Sequence, residues 1–499
     1  MDDRRGLTPS PVGPRIAVRR LPDDTDLAAL AAATDADLVW LDSGLPAGAP
    51  SSAAARARWS VLATTDGPFS ARFRHEDEVA HLDVADPASG WFGASRSESR
   101  PAFPVLEDLL ARTPHLAAPV DGCAFALGWV GFLGYELGRE VDGPHRTADG
   151  HPDADLRFVD RAVVVRDDGA AWALALVDDA APRASALNAA WLTTLEGRRA
   201  RAEPTDVPPG LPAGREARGR VRRSSYESAV DACRAAIRDG TAFQVCLTTA
   251  FAVPSDATDR SFDDHLRLRA TDPVPFWAYL RLGALRVVSR SPERFLRVHE
   301  DGTVTAEPIK GTRRRAGSRE ADAAARADLA ASAKDRAENV MIVDLLRNDL
   351  LRTAAPDSVR VERLCDVETY ASVHQMVSTI TARVPAGTSR AAVVRAAFPP
   401  GSMTGAPKSS ATAVADRLEG APRGVYSGAI GYFSADGAVD LSVAIRTLVS
   451  VVDDAGAVVR RSFGAGGAVT WSSTAASEAD EVETKTRSVL GGLGMRAHW

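Results

Sequence analysis

Short apolar runs separated by turn residues recur from about residue 16 to residue 195, as in LRFVDRAVVVRDDGAAWALALV, Leu156 to Val177. That pattern predicts β-strands joined by tight connections. ALGWVGFLGYELG, Ala126 to Gly138, mixes glycine with aromatics, which predicts close backbone packing within a sheet. Further on, Ala229, Cys233, Ala236 and Ile237 recur at helical spacing within SSYESAVDACRAAIRDG, which opens on serine and ends on glycine. AFQVCLTTAFAV, FWAYLRL and ALRVVSRS read as strands, and Arg319 to Leu350 as a long helical region. The end of the chain alternates strands (YSGAIGYFS, VDLSVAIRTLVSVV) with a final helix over Ala475 to Leu490. Helices and strands mix without a regular βαβ rhythm, so the expected class is α+β with large antiparallel sheets.

The pattern also suggests boundaries. Residues 1–15 read as a disordered leader and 16–196 as an N-terminal region. Residues 197–223, rich in Pro, Gly and Arg, read as a linker or exposed loop, leaving 224–499 as the larger domain.

Composition narrows the function classes. Of 499 residues, 45% are hydrophobic and 25% charged, and the net charge is −6. Nothing there favours nucleic acid or an anionic membrane as partner. No apolar run approaches the roughly 18 residues of a membrane span. The N-terminus lacks an apolar signal core, so a cytoplasmic protein is expected. Cys123, Cys233, Cys246 and Cys365 are widely spaced and read as reduced thiols. Among 60 Lys plus Arg, only Lys310, Lys334, Lys408 and Lys485 are lysine. Under a drift towards arginine the four are either simply residual or kept where a fixed planar cation cannot replace a titratable amine.

Several local patterns can carry chemistry. In SEADEVETKTRSVL, Glu478, Glu481 and Lys485 stand at i, i+3 and i+7, on one helix face. In KDRAENVMIVDLLRNDL, Asp335 and Glu338 stand at i and i+3. Two such carboxylate pairs suit Mg²⁺, although ordinary helix ion pairs share the spacing. FGAGGAVTW, Phe463 to Trp471, reads as a glycine-rich turn whose amides can approach an anion. GSMTGAPK is a small-residue loop without phosphate-loop spacing. Glu293 precedes one predicted strand and Lys310 follows another. A hairpin through HEDGT brings them to one open end, as an acid and nucleophile or as a simple ion pair.

Nine strings resemble the chorismate-utilising enzymes, in the family's order across residues 224–490: PIKGTRRR, SPERFL, KDRAENVMIVDLLRNDL, VETYASVHQMVSTI, FPPGSMTGAPK, GVYSGAIGYFS, VAIRTL, GAGGAV and SEADEVETK. GWVGFLGYELG and LDSG resemble its N-terminal half. The resemblance implies antiparallel sheets packed face to face, with helices outside. It also implies a Mg²⁺ site with Glu338 and Glu481 as ligands and Asp335 and Glu478 in support. Arg446 and Lys485 correspond to residues that pair with chorismate carboxylates. His374, Thr404, Tyr426 and the backbone at Ala465 and Gly466 correspond to further pocket groups.

Two positions separate the family's branches. Members that add water carry a lysine where this chain has Gln244, which cannot act as a base. Lys310 in PIKGT resembles the aminodeoxychorismate branch, where the anthranilate branch has alanine. The resemblance implies that Lys310 attacks the ring and that Glu293 protonates the departing hydroxyl. Arg313 to Arg315 are expected to favour the neutral amine of Lys310. Ammonia is expected from a separate glutamine amidotransferase subunit, since no glutaminase motif is found. An anthranilate-forming enzyme and a non-catalytic binding or regulatory subunit are the alternatives. A tryptophan site of relatives maps onto Ser43, Arg58, Trp59, Ser60, Pro275, Phe276 and Trp277, with the Trp277 indole expected to fill it. No role follows for Lys334 or Lys408.

Overall fold

The computed structural model describes residues 13–43, 56, 58–142, 151–201, 205–211, 213–255, 258–271, 274–370 and 372–499. Most of the predicted leader lies outside these residues, and Arg15 already opens the first strand. Two large sheets dominate, of 13 and 12 strands among the described residues. Pairing is antiparallel throughout except where Arg215–Gly219 runs parallel to Met495–His498.

Each sheet draws on both halves of the chain. In the first, the N-terminal strand Leu38–Asp42 pairs with Phe276–Leu282. In the second, Gly128–Leu133 pairs with Ala429–Ser434. The predicted division at 197–223 therefore does not separate the sheets. That stretch holds the end of the helix Pro182–Arg201 and the strand Arg215–Gly219.

The sheets face each other across one apolar cluster. Val61, Leu174 and Leu280 of the first meet Phe73, Trp129, Phe158 and Leu296 of the second. The opposite face of the first sheet packs under helices, including Arg223–Arg238 and Ala475–Leu490. This is the expected α+β arrangement of stacked sheets with outer helices. The predicted glycine packing is also present: Gly131 faces Gly431 across the two strands. A Cβ on either would lie 2.0 Å from a neighbouring carbonyl oxygen, that of Asp155 or Asp440.

The long helical region is two helices, Arg319–Ala331 and Ala333–Leu351. Ser332 separates them, and its side chain accepts the Asp335 N–H, so it caps the second. Lys408, at the start of the helix Lys408–Glu419, fastens three segments together. Its ammonium donates to Asp349 Oδ2 and the Ala397 carbonyl, both at 2.7 Å, and to the Pro399 carbonyl at 3.0 Å. Three donors meet three convergent acceptors, which a planar guanidinium does not match. Lys408→Met removes the buried charge facing Asp349 and should cost about 3–5 kcal/mol in urea unfolding. Lys408→Arg should recover only part of that loss.

Candidate active site

A cleft of about 690 Å³ opens where the two sheets meet the helices Ala333–Leu351 and Ala475–Leu490. The hairpin predicted from sequence forms one wall. Arg294–Val298 pairs with Thr303–Glu307, and the following strand Ile309–Arg314 carries Lys310. Glu293, just before the hairpin, lines the cleft together with Lys310. Burial pushes the Glu293 carboxyl above the usual carboxylate range. The positive charge of Lys310, the Ser402 hydroxyl and the Ile309 N–H only partly oppose that rise. A carboxyl in this setting holds its proton more readily than one in water.

The helix Ala475–Leu490 brings its predicted face to the opposite wall. Lys485 donates to Glu481 Oε1 at 2.8 Å and to the Gly466 carbonyl at 2.7 Å. Lys485 holds Glu481 below its ordinary pKa, against the effect of burial. Burial opposes the charge on Lys485 itself, but Glu481 outweighs it and the ammonium is strengthened. Glu478 is 1% exposed. Its Oε1 accepts from Ser473 Oγ at 2.6 Å, while Oε2 has no partner among the described residues. A Cβ on Gly467 would sit 2.7 Å from that oxygen and 3.9 Å from Glu481 Oε1. Only glycine leaves that space open.

Phe463 to Val469 is thus no turn. It is the end of the strand Val458–Val469, paired along Gln244–Ala252. The glycines lie within a sheet because carboxylates and strand backbone crowd them.

Glu338 reaches the cleft from the facing helix. Burial raises its pKa, and Lys310 and Lys334 lower it. Asp335 accepts from Arg313 at 3.0 Å. Arg313 also pairs with Asp328, and Arg315 with Asp322. The charges of these two arginines are therefore matched locally by carboxylates. Arg446 lines the cleft with φ of +55°, a left-handed conformation that stores strain. Tyr426, Ala465 and Gly466 line it as expected.

Four predicted groups stand behind the walls. Gln244 and Thr404 are fully buried. Neither amide atom of Gln244 has a partner among the described residues. It begins the strand whose next same-face residue, Cys246, lines the cleft. The Thr404 carbonyl accepts the Cys246 N–H at 2.8 Å, which supports that wall. The His374 ring is turned from the cleft, because strand alternation sends Val373 and Gln375 inward instead. His374 Nε2 lies 3.1 Å from Asp322 and Nδ1 lies 2.9 Å from Thr369 Oγ1. Glu478 is the fourth, behind Gly467.

Sequence reasoning missed Ser402, which lines the cleft and whose hydroxyl favours the ionised form of Glu293, and Arg423. Arg423 donates to the Met403 carbonyl at 2.7 Å and the Cys246 carbonyl at 2.9 Å, both of cleft-lining residues. Its place just before GVYSG was the available signal. Periodicity offers none for a buried arginine.

A second cavity, of about 300 Å³, lies against Arg58, Trp59, Pro275 and Phe276. Ser43 N–H donates to Ser60 Oγ, which donates to Asp42 on the cavity rim. The Trp277 indole does not fill it. The ring packs on the far side of the sheet, edge-on to His265 and under the Arg290 guanidinium.

Among the described residues no three His, Cys, Asp or Glu side chains converge as a closed metal cage. The site still suits a hard divalent cation, which needs only one or two carboxylates and completes its shell with water and ligand oxygens. The orphaned Glu478 oxygen beside the Gly467 gap marks such a place.

The family of chorismate binding enzymes matches residues 71–491. An aminodeoxychorismate synthase of Streptomyces griseus is 43% identical over 457 residues, covering 90% of this chain and 60% of that protein. The chain thus spans about three fifths of that relative's length. An aminodeoxychorismate synthase component 1 of Klebsiella aerogenes is 38% identical over 341 residues, covering 68% of this chain and 71% of that protein. The crystal structure of an anthranilate synthase component I from Streptococcus pneumoniae superposes with a TM-score of 0.72 at 26% identity. It covers 87% of this chain and 92% of that one.

Proposed function

The chain belongs to the chorismate binding enzymes, and from that premise we propose that it converts chorismate and ammonia into 4-amino-4-deoxychorismate. The observation that carries the reading is that Lys310 and the buried Glu293, whose carboxyl burial pushes above the usual carboxylate range, line the same cleft. Gln244 stands where members that add water have a basic lysine, which supports amination over hydroxylation. The relatives named aminodeoxychorismate synthase support it as well.

Direct displacement at C4 asks a poor leaving group to depart unaided. An amine attack at C2 divides the problem. The Lys310 nitrogen bonds to C2, the ring double bonds shift, and the C4 hydroxyl leaves as water with the proton of Glu293. Ammonia then bonds to C4, the double bonds shift back, and the Lys310 amine departs from C2. The surplus proton of the new ammonium returns to Glu293. Chorismate and ammonia thereby give aminodeoxychorismate and water. Arg446 and Lys485 hold substrate carboxylates. Glu338 and Glu481, with Glu478 and Asp335, would hold Mg²⁺, which supplies charge neutralisation and orientation for a carboxylate.

Ammonia comes from a separate glutamine amidotransferase subunit, in a cytoplasmic assembly. The "component 1" in the names of bacterial relatives supports a partner. No helix among the described residues is long and apolar enough to cross a membrane.

The test is incubation with chorismate, Mg²⁺ and ammonia at mildly alkaline pH, read by mass spectrometry. Aminodeoxychorismate is expected. Anthranilate would place the chain in the other aminating branch, and unchanged chorismate would make it a binding protein.

A further inference from the structure

Lys334 has no place in the chemistry above, yet it stands at the carboxylates of the cleft. It lies in the first turn of the helix Ala333–Leu351. Its ammonium is 3.7 Å from Glu338 Oε1 on its own helix and 4.0 Å from Glu478 Oε1 on the facing helix. These are loose contacts. Lys485 meets Glu481 at 2.8 Å and Lys408 meets Asp349 at 2.7 Å. The Lys334 side chain is also 48% exposed, so it has water to withdraw into.

We propose that Lys334 is a built-in competitor of the divalent cation, bridging Glu338 and Glu478 until cation and substrate displace it. This rests on the Mg²⁺ reading of the site. Two carboxylates on facing helices repel each other when nothing positive lies between them. One of them, Glu478, is buried, its Oε2 unpartnered among the described residues and its Oε1, bonded to Ser473, facing Lys334, so in its ionised form it calls for a positive charge. An ammonium on a flexible stem meets that demand and can leave. A guanidinium would lock onto a carboxylate with two parallel bonds and stay. The arrangement makes metal binding weak in the empty cleft and strong once a substrate carboxylate adds its oxygens. It also keeps the two helices in register before substrate arrives.

The test uses the full chain and Mn²⁺ alone, counted by electron paramagnetic resonance without substrate. Lys334→Met should bind the ion about 5-fold more tightly than the parent, the order of a half-exposed ion pair. Lys334→Arg should bind it more weakly than the parent. In chelator, Lys334→Met should melt below the parent, and added Mg²⁺ should restore it. Unchanged or weaker Mn²⁺ affinity in Lys334→Met overturns the proposal. A direct role in holding substrate would give that result, with poorer chorismate binding. Glu338→Gln separates the two levels. If it loses Mn²⁺ while Lys334→Met is unchanged, only the competitor role falls. If it binds Mn²⁺ like the parent, the metal reading falls too.

Discussion

Lys310→Arg is expected to abolish turnover with ammonia, with a loss of at least about 10³-fold, while chorismate binding changes little. The substitution keeps the positive charge and nearly the same reach. It removes only the ability to present a neutral amine, since a guanidinium stays protonated. If Lys310 served as a counter-ion for Glu293, Glu338 and Glu481, on all of which its charge acts, arginine would serve nearly as well. Charge and nucleophile are therefore separated by one exchange. Intact-mass analysis of the parent, quenched with chorismate and without ammonia, should show the chain plus chorismate less water. Lys310→Arg should show the bare chain. Full activity in Lys310→Arg would remove the covalent step and leave direct attack by ammonia.

Much of this site could be read before the fold, for a physical reason. Glu478, Glu481 and Lys485 share a helix face, and helical geometry is local, so i, i+3 and i+7 suffice. The Glu293–Lys310 hairpin is also local, joined by a short turn. What escaped depends on distant chain. The partners of Lys408 lie at Asp349, Ala397 and Pro399, which no periodicity connects. The glycine run after Phe463 reads as a turn because glycine is a poor strand former. Its strand is dictated by pairing with Gln244–Ala252 and by the carboxylates packed on Gly467. His374 shows the same limit at finer scale. Its motif placed it near the cleft, but register turned its ring to Asp322. Trp277 likewise sits at the predicted cavity with its ring on the other side of the sheet.

Glu293→Gln should lower kcat by about 10²–10⁴-fold, the usual worth of a positioned general acid. Glutamine keeps the shape and can hydrogen-bond, but has no proton to give the departing hydroxyl. The Lys310 adduct should therefore fail to accumulate, although the amine is intact. The parent should lose this step as pH rises through the raised pKa of Glu293, because the ionised form cannot act as acid. That alkaline limb should be missing from the residual activity of Glu293→Gln. Stability separates catalytic loss from misfolding. A carboxyl whose folded pKa lies above its unfolded value binds its proton more tightly in the folded state, so folding weakens as pH rises between the two values. Below the ordinary glutamate pKa of about 4.3 the parent and Glu293→Gln should be equally stable. Above the raised pKa the variant should be the more stable of the two in urea unfolding. An inactive variant that is also less stable at neutral pH would make Glu293 structural. An active variant would assign the proton to another group in the cleft.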